Sequence, residues 1–298
     1  MKVFINDKEY DAAPEETIIQ LSDRAGIHIP RFCYHKHLSI VASCRMCLVD
    51  IEGIKNAQPA CSTPVREGMK IYTSSQKTKD AQKSSMEFLL INHPLDCPIC
   101  DQGGECELQD VSLEHGDDHS QYMQLKRVVI DKDVSPLVST DMTRCIHCSR
   151  CVRFGEEISN VKELGLLNRG DDMKIDVFIE DKISSELSGN MIDLCPVGAL
   201  NNKPYRYKAR TWDLRENTGI SPHDCLGSNI FYHTYKNKIL RAVPKENPDI
   251  NQTWLSDRDR FGYEGIYSKD RIFKSYIREN KKLVELDKQL VVNEVNKL

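Results

Sequence analysis

The spacing of the cysteines is the feature that most constrains this chain. Eleven of its twelve cysteines fall into three groups, each containing a C-x2-C pair. The N-terminus, MKVFINDKEYDA, has no apolar signal core, so we expect a reducing compartment. Clustered thiols in such a compartment bind metal more often than they form disulfides. The pattern therefore predicts metal or iron–sulfur sites.

The first group has the spacing Cys33-x10-Cys44-x2-Cys47-x13-Cys61. Four thiolates suit either tetrahedral zinc or a [2Fe–2S] cluster. A zinc ribbon pairs two C-x2-C knuckles, whereas this group has one close pair and two outlying cysteines. That layout is nearer to a plant-type ferredoxin. We predict a [2Fe–2S] cluster, with zinc as the alternative.

The third group is Cys145-x2-Cys148-x2-Cys151 followed by a distant Cys195-Pro196. This is the spacing of a bacterial ferredoxin repeat and predicts a [4Fe–4S] cluster. The ferredoxin pattern would also hold a second cluster, but its ligand positions carry no cysteine here: Gly155, Ser185, Ser188 and Met191. We expect one cluster in this region.

The middle group, HPLDCPICDQGGEC, offers His93, Cys97, Cys100 and Cys106. Taken alone it suits zinc and a [4Fe–4S] cluster equally. Because it lies between two iron–sulfur groups, a second [4Fe–4S] cluster is the simpler interpretation. A neutral imidazole in place of a thiolate makes the site less negative and raises its reduction potential. Cys225 is left without a group.

The remaining composition describes a soluble, folded chain. Apolar residues make up 40%, charged residues 29%, and the net charge is −4, which gives no argument for nucleic-acid binding. The longest apolar runs, such as FLLI at 88–91, are too short to cross a bilayer. The chain has no G-x-G-x-x-G motif, so we expect no flavin or NAD site.

Local patterns predict several elements. These are a hairpin over 3–12 around Asn6-Asp7, a helix over PEETIIQLSDRAG, a strand in CLVDIEG, a helix from about Lys77 to Ile91, strands after Trp212, and a helical pattern in the last segment, KKLVELDKQLVVNEVNKL.

The order of these groups resembles the large iron–sulfur subunit of respiratory complex I, NADH:quinone oxidoreductase. The resemblance covers residues 1 to about 270 and rests on the phrases RFCYH, CRMCLV, QGGECELQD, TRCIHCSRCVRF and DLCPVGAL. It implies an α+β chain of five parts. They are a β-grasp [2Fe–2S] domain (1–77), a His-ligated [4Fe–4S] domain (78–118), a ferredoxin-like [4Fe–4S] domain (119–211), a molybdopterin-oxidoreductase-type domain lacking its cluster (212–270), and the start of a pterin-type domain (271–298).

The resemblance also implies a function in electron transfer, with no catalytic residue in this chain. Electrons would arrive from the flavin subunit at the Cys33 group, pass to the Cys145 group, then to the His93 group, and leave to a subunit with two [4Fe–4S] clusters. Quinone would be the final acceptor, in a complex that pumps protons. The chain would be peripheral on the cytoplasmic face of the bacterial inner membrane, or on the matrix side if organelle-encoded.

The chain departs from some relatives in its C-terminal region. A further cluster there would place its ligands at Ser221, Asp224, Ser228 and Ser256, and Cys225 is out of register. We therefore predict no fourth cluster and no molybdopterin. Family members are usually longer, and a fragment, a split gene and a short form all stay open.

Four other interpretations fit part of the pattern. The diaphorase subunit of an NAD-reducing hydrogenase is the main alternative, although it ordinarily ends soon after the ferredoxin-like domain. An iron-only hydrogenase and a formate dehydrogenase would each keep cluster ligands that are absent here. A scaffold stapled by zinc, with no redox role, represents a different class of protein.

Overall fold

The structure, a computed structural model, describes residues 1–178 and 182–296. Its N-terminal part is a mixed sheet of five strands in the order β2-β1-β5-β3-β4, with β1 parallel to β5. The predicted hairpin is confirmed, because Asn6 and Asp7 form its turn with φ of 50° and 65°. The elements are β1 Lys2–Ile5, β2 Lys8–Asp11, α1 Ile18–Arg24, β3 Leu48–Ile51, β4 Gln58–Pro59 and β5 Lys70–Tyr72.

Helix α1 begins four residues later than the sequence pattern predicts. Glu15 has φ of 65°, which no α-helix accommodates, and Thr17 then acts as the N-cap. The Gln20 side chain accepts from the Thr17 N–H at 2.9 Å, which completes a capping box. The apolar side of α1, including Ile18 and Leu21, packs into the core beside β1.

The middle of the chain consists of two helices joined by the His93 loop. They are α2 Gln76–Leu90 and α3 Glu107–His115. The predicted helix from about Lys77 to Ile91 is thus confirmed to within one residue. Ser75 caps α2, and Met86 on its buried side is fully enclosed. Helices α2 and α3 contact each other, and the His93 loop connects them.

The next region contains two antiparallel strand pairs, β6 with β9 and β7 with β8, and two short helices. Helix α4 starts directly after Ser149, and α5 ends directly before Cys195, so both helices border predicted ligands. The elements are β6 Val138–Thr140, α4 Arg150–Glu157, β7 Leu164–Leu167, β8 Lys174–Val177, α5 Asn190–Leu194 and β9 Leu200–Asn202.

The C-terminal region begins with a three-stranded antiparallel sheet, as the pattern after Trp212 predicts. Its strands are followed by a short helix and by a separate hairpin. The elements are β10 Arg215–Ile220, β11 Asn229–Tyr235, β12 Lys238–Pro244, α6 Asp257–Phe261, β13 Ser275–Glu279, β14 Lys282–Leu286 and α7 Lys288–Val295. Across the described residues, we find no helix with the length and apolarity to span a membrane.

The helical prediction for the last segment is wrong in its first half. Lys282–Leu286 is strand β14, paired with β13, and the helix begins only at Lys288. Asn280 and Lys281 have φ of 47° and 67°, and this two-residue turn folds the chain into a hairpin. Residues 297–298 of the predicted helix lie outside the described residues.

Candidate iron–sulfur centres

The four cysteines of the first group are buried, and their side chains interact with one another. Cys33 accepts from the thiols of Cys44 and Cys61, which holds its pKa well below the usual range. Cys61 also donates to Cys47, and its own pKa is raised above the usual range. The backbone N–H of Cys33 points at the Cys44 sulfur, 3.5 Å away. All four predicted ligands therefore converge.

The Cys145 group also converges, in a different setting. Its four cysteines line one cavity whose other walls are apolar, including Ile146, Val197 and Leu200. Burial raises the pKa of Cys148 to about 12. Four thiols in so dry a site stay protonated unless a bound cation displaces their protons. The donor set and its walls fit an iron–sulfur cluster.

Backbone N–H groups surround the sulfurs of this group. Burial raises the pKa of Cys195, while the N–H groups of Val197, Ala199 and Leu200 lower it. The N–H of His147 lies 3.4 Å from the Cys145 sulfur, in a loop where φ of His147 is 55°. Such donors favour thiolate sulfur and tune the potential of a bound cluster.

The His93 group is only partly enclosed. His93, Cys97 and Cys106 line one groove, and Cys97 is exposed. Cys100 faces the loop after Cys195, where a Cβ on Gly198 would lie 2.1 Å from its sulfur. The structure thus requires glycine at position 198, because any side chain there would strike a ligand.

The imidazole of His93 has the properties of a ligand. Burial lowers its pKa to about 4, so it is neutral near pH 7, the form that binds metal. Its Nδ1 is buried and has no hydrogen-bond partner among the described residues. Buried polar atoms are normally paired, and an unpaired one indicates a missing partner. The donor set of one neutral imidazole and three thiols fits a [4Fe–4S] cluster or zinc.

The three groups are joined through the Cys145 group. A single buried apolar cluster contains cysteines of all three groups, and Met46 and Met86 also belong to it. The Cys106 sulfur lies 3.8 Å from the carbonyl oxygen of Pro196. On the other side, Arg153 donates to the carbonyls of Cys33 and Cys148. The Cys145 group is therefore in contact with each of the other two.

Sequence reasoning missed the buried arginines around these groups. Five arginines are at most 8% exposed: Arg144, Arg150, Arg153, Arg241 and Arg260. The segment SRCVRF places Arg150 directly before Cys151 and Arg153 two positions after it, and this proximity to a predicted ligand could have drawn attention to both arginines. Arg150, for example, pairs with Glu107 at 3.0 Å and also donates to the Tyr34 carbonyl.

The C-terminal positions aligned with a further cluster form a hydrogen-bonded network. The hydroxyls of Ser221 and Ser256 each donate to the buried Asp259, at 2.5 Å. Asp224 accepts from the backbone N–H groups of Gly227 and Ser228. Cys225 is exposed beside this network.

Four family models match successive parts of the chain. In chain order they are a 2Fe-2S iron-sulfur cluster binding domain (residues 1–76), an NADH-ubiquinone oxidoreductase-G iron-sulfur binding region (82–121), an NADH-quinone oxidoreductase subunit 3 ferredoxin-like domain (135–201), and an NADH-ubiquinone oxidoreductase NDSU1/NuoG-like 4Fe-4S domain (214–264). They confirm the predicted [2Fe–2S] and [4Fe–4S] domains, and the structure shows a mixed α and β fold.

Similar proteins agree with these matches. The G subunit of NADH-quinone oxidoreductase from Rickettsia typhi (strain ATCC VR-144 / Wilmington) is 47% identical over 96% of this chain and 42% of its own length. The same subunit of Rickettsia bellii (strain RML369-C) is 46% identical over 95% and 42%. The chain thus spans under half the length of these relatives.

A solved structure is also similar. The crystal structure of NAD+-reducing [NiFe]-hydrogenase in the H2-reduced state has a chain that matches with a TM-score of 0.63 and 25% identity, covering 70% of this chain and 89% of that one. The two Rickettsia relatives are much closer in sequence and cover more of this chain. Over the region that it spans, the chain belongs to the family of the NADH-quinone oxidoreductase G subunit.

Proposed function

We propose that this chain is the iron–sulfur electron-transfer region of a subunit of NADH:quinone oxidoreductase, passing electrons from a flavin subunit toward quinone. The observation that carries the proposal is the single buried cluster that contains cysteines of all three ligand groups. Electron transfer requires redox centres held at short range in a rigid, dry environment. This apolar cluster supplies that environment.

The residues assigned to each cluster follow the three groups. Cys33, Cys44, Cys47 and Cys61 would hold a [2Fe–2S] cluster; His93, Cys97, Cys100 and Cys106 a [4Fe–4S] cluster; and Cys145, Cys148, Cys151 and Cys195 a second [4Fe–4S] cluster. Such clusters accept and release single electrons. We assign no flavin, NAD or molybdopterin to this chain.

The contacts between the groups support an order of transfer. The Cys145 group touches the Cys33 group through Arg153 and the His93 group through Pro196 and Gly198. Electrons entering at the Cys33 group would therefore pass the Cys145 group before they reach the His93 group, although the sequence order differs. The exposed Cys97 makes the His93 group a suitable exit.

The proposed layout has five parts. They are a β-grasp domain at 1–77, a His-ligated domain at 78–118, a ferredoxin-like domain at 119–211, a molybdopterin-oxidoreductase-type domain without its cluster at 212–270, and the start of a pterin-type domain at 271–298. The mixed sheet with α1 on it supports the first assignment. The hydroxyls bound to Asp259 support the absence of a fourth cluster, since they are already satisfied.

The proposed partners are the flavin and NADH-binding subunit at the entry and a subunit with two [4Fe–4S] clusters at the exit. The chain would reach the membrane only through that complex, on the cytoplasmic face of a bacterial inner membrane or on the matrix side in an organelle. Isolation of the tagged chain with its partners tests this assignment. Co-purification of flavin and NADH:quinone reductase activity is the expected result, and their absence would contradict it.

A second candidate is the diaphorase iron–sulfur subunit of an NAD-reducing hydrogenase. The likeness to the NAD+-reducing [NiFe]-hydrogenase structure supports it. The same isolation separates the two functions, because the hydrogenase alternative predicts hydrogen-dependent reduction of NAD+ and no quinone reductase activity.

A further inference from the structure

Arg153 differs from every other buried arginine of the described chain. Arg144, Arg150, Arg241 and Arg260 each form an ion pair with a carboxylate. Within residues 1–178 and 182–296, Arg153 has no carboxylate within ion-pair distance, although it is only 5% exposed. A buried charge without a partner is strongly unfavourable. Its counter-charge must therefore be something other than a side chain of this part of the protein.

The hydrogen bonds of Arg153 point to that counter-charge. One guanidinium nitrogen donates to the carbonyl of Cys33 at 2.5 Å and to that of Cys148 at 3.3 Å. The other donors bind the Ser39 carbonyl and the Ser149 hydroxyl. Cys33 and Cys148 belong to two different ligand groups, so this one cation lies between the proposed [2Fe–2S] site and the neighbouring [4Fe–4S] site.

Both acids on the same helix are engaged elsewhere, and Glu156 pairs with Lys162. Glu157, one turn after Arg153, accepts from the backbone N–H and the hydroxyl of Ser39. It therefore fixes the Ser39 loop, whose carbonyl in turn accepts from Arg153. This arrangement holds the guanidinium in place without neutralising it. A cluster ligated by four thiolates carries net negative charge, which increases when the cluster is reduced.

We propose that Arg153 is a positioning residue shared by the two sites, and that its positive charge raises the reduction potential of both clusters while its bonds fix the two groups relative to each other. The proposal rests on the proposed function. Because Arg153 contacts both groups, it shifts both potentials in the same direction and leaves their difference nearly unchanged.

Two variants of the full chain separate the charge from the hydrogen bonds. Arg153→Gln keeps N–H donors and removes the charge, whereas Arg153→Lys keeps the charge and a single donor group. The anaerobically purified chains are titrated with reductant while the EPR signal of each cluster is followed. The cluster of the His93 group is the internal reference. Arg24→Gln, at an exposed arginine paired with Glu16, is the control for removal of a charge.

For Arg153→Gln we expect the equilibrium constant for reduction to fall about tenfold at both sites, which is 59 mV for a one-electron couple. Arg153→Lys is expected to stay within about threefold of wild type, and Arg24→Gln to show no shift, because solvent screens exposed charges. Loss of clusters in Arg153→Gln alone would also support a requirement for the charge.

Three outcomes would overturn the proposal: unchanged potentials in Arg153→Gln, equal shifts in both variants, or loss of the clusters in both. The last outcome would assign the role to the shape of the guanidinium rather than to its charge. A wild-type chain without iron–sulfur EPR signals would contradict the proposed function itself, and this result is independent of any variant.

Discussion

The Cys145 group and the serines around α6 are stabilised in opposite ways. In the Cys145 group, four thiols face a cavity with apolar walls, and burial raises their pKa values. Around α6, serine hydroxyls replace thiols and each has a carboxylate partner. Asp259 binds Ser221 and Ser256, while Asp257 accepts from Ser188 and from the Gly189 N–H, both at 2.6 Å.

The comparison separates side chains suited to holding a cofactor from side chains that are hydrogen-bonded within the protein. The thiols of the Cys145 group line a cavity with apolar walls, where the proposed cluster would supply their missing partner. The serines near α6 are hydrogen-bonded within the protein, and their burial needs nothing further. Helix α6 supplies Asp257 to Ser188 and Asp259 to Ser221 and Ser256. It thereby links the ferredoxin-like domain, which contains Ser188, to the C-terminal region.

The largest effect is expected from removing one thiol of the Cys145 group. Cys148→Ala removes one of the four thiols in the cavity, so the cluster there should lose one or more irons, and its EPR signal should change or disappear. Iron analysis together with EPR checks this result. The full iron content with an unchanged EPR signal would show that Cys148 is not a ligand.

Disruption of the serine network should affect stability and leave the clusters intact. Asp259→Ala removes the acceptor of two buried hydroxyls, and each unsatisfied group costs about 1–3 kcal/mol. We expect the midpoint of thermal unfolding to fall by several degrees while the EPR signals persist. Glu264→Ala, on the surface nearby, is the control. Loss of a cluster signal in Asp259→Ala would contradict the distinction between the two regions.

The ligand assignment of His93 predicts a smaller, specific change. His93→Cys replaces a neutral imidazole by a thiolate, so the cluster should persist with a lower potential. A tenfold change in the reduction equilibrium corresponds to about 59 mV, and we expect a shift of at least that order. Redox titration followed by EPR measures it. An unchanged signal would refute His93 as a ligand.

The smallest effect is expected at Cys225. This thiol is exposed and lies outside the three groups, so Cys225→Ser should leave every cluster signal and the iron content unchanged. Loss of one signal in this variant would contradict the alignment of the C-terminal region and the contrast built on it.

Local spacing made the ligand groups and several elements predictable from the sequence. Helix α2 and the hairpin at Asn6-Asp7 are specified by residues close together in the chain. The strand at Lys282–Leu286 was missed because Leu283 and Leu286 also suit a helix, and pairing with β13 decides between the two. The sequence could not show the hydrogen bond from Arg153 to the Cys33 carbonyl, because the two residues are 120 positions apart in the chain. Family similarity supports the ligand groups as domains, whereas the individual ligands stay predictions.

The metal content of the anaerobically purified wild-type chain tests the central claim most directly. Three clusters of two, four and four irons predict about ten irons and about ten labile sulfides per chain, without zinc. Fewer than about eight irons, or zinc in stoichiometric amount, would contradict the assignment of three iron–sulfur clusters. About fourteen irons would show instead that the serine network accompanies a fourth cluster.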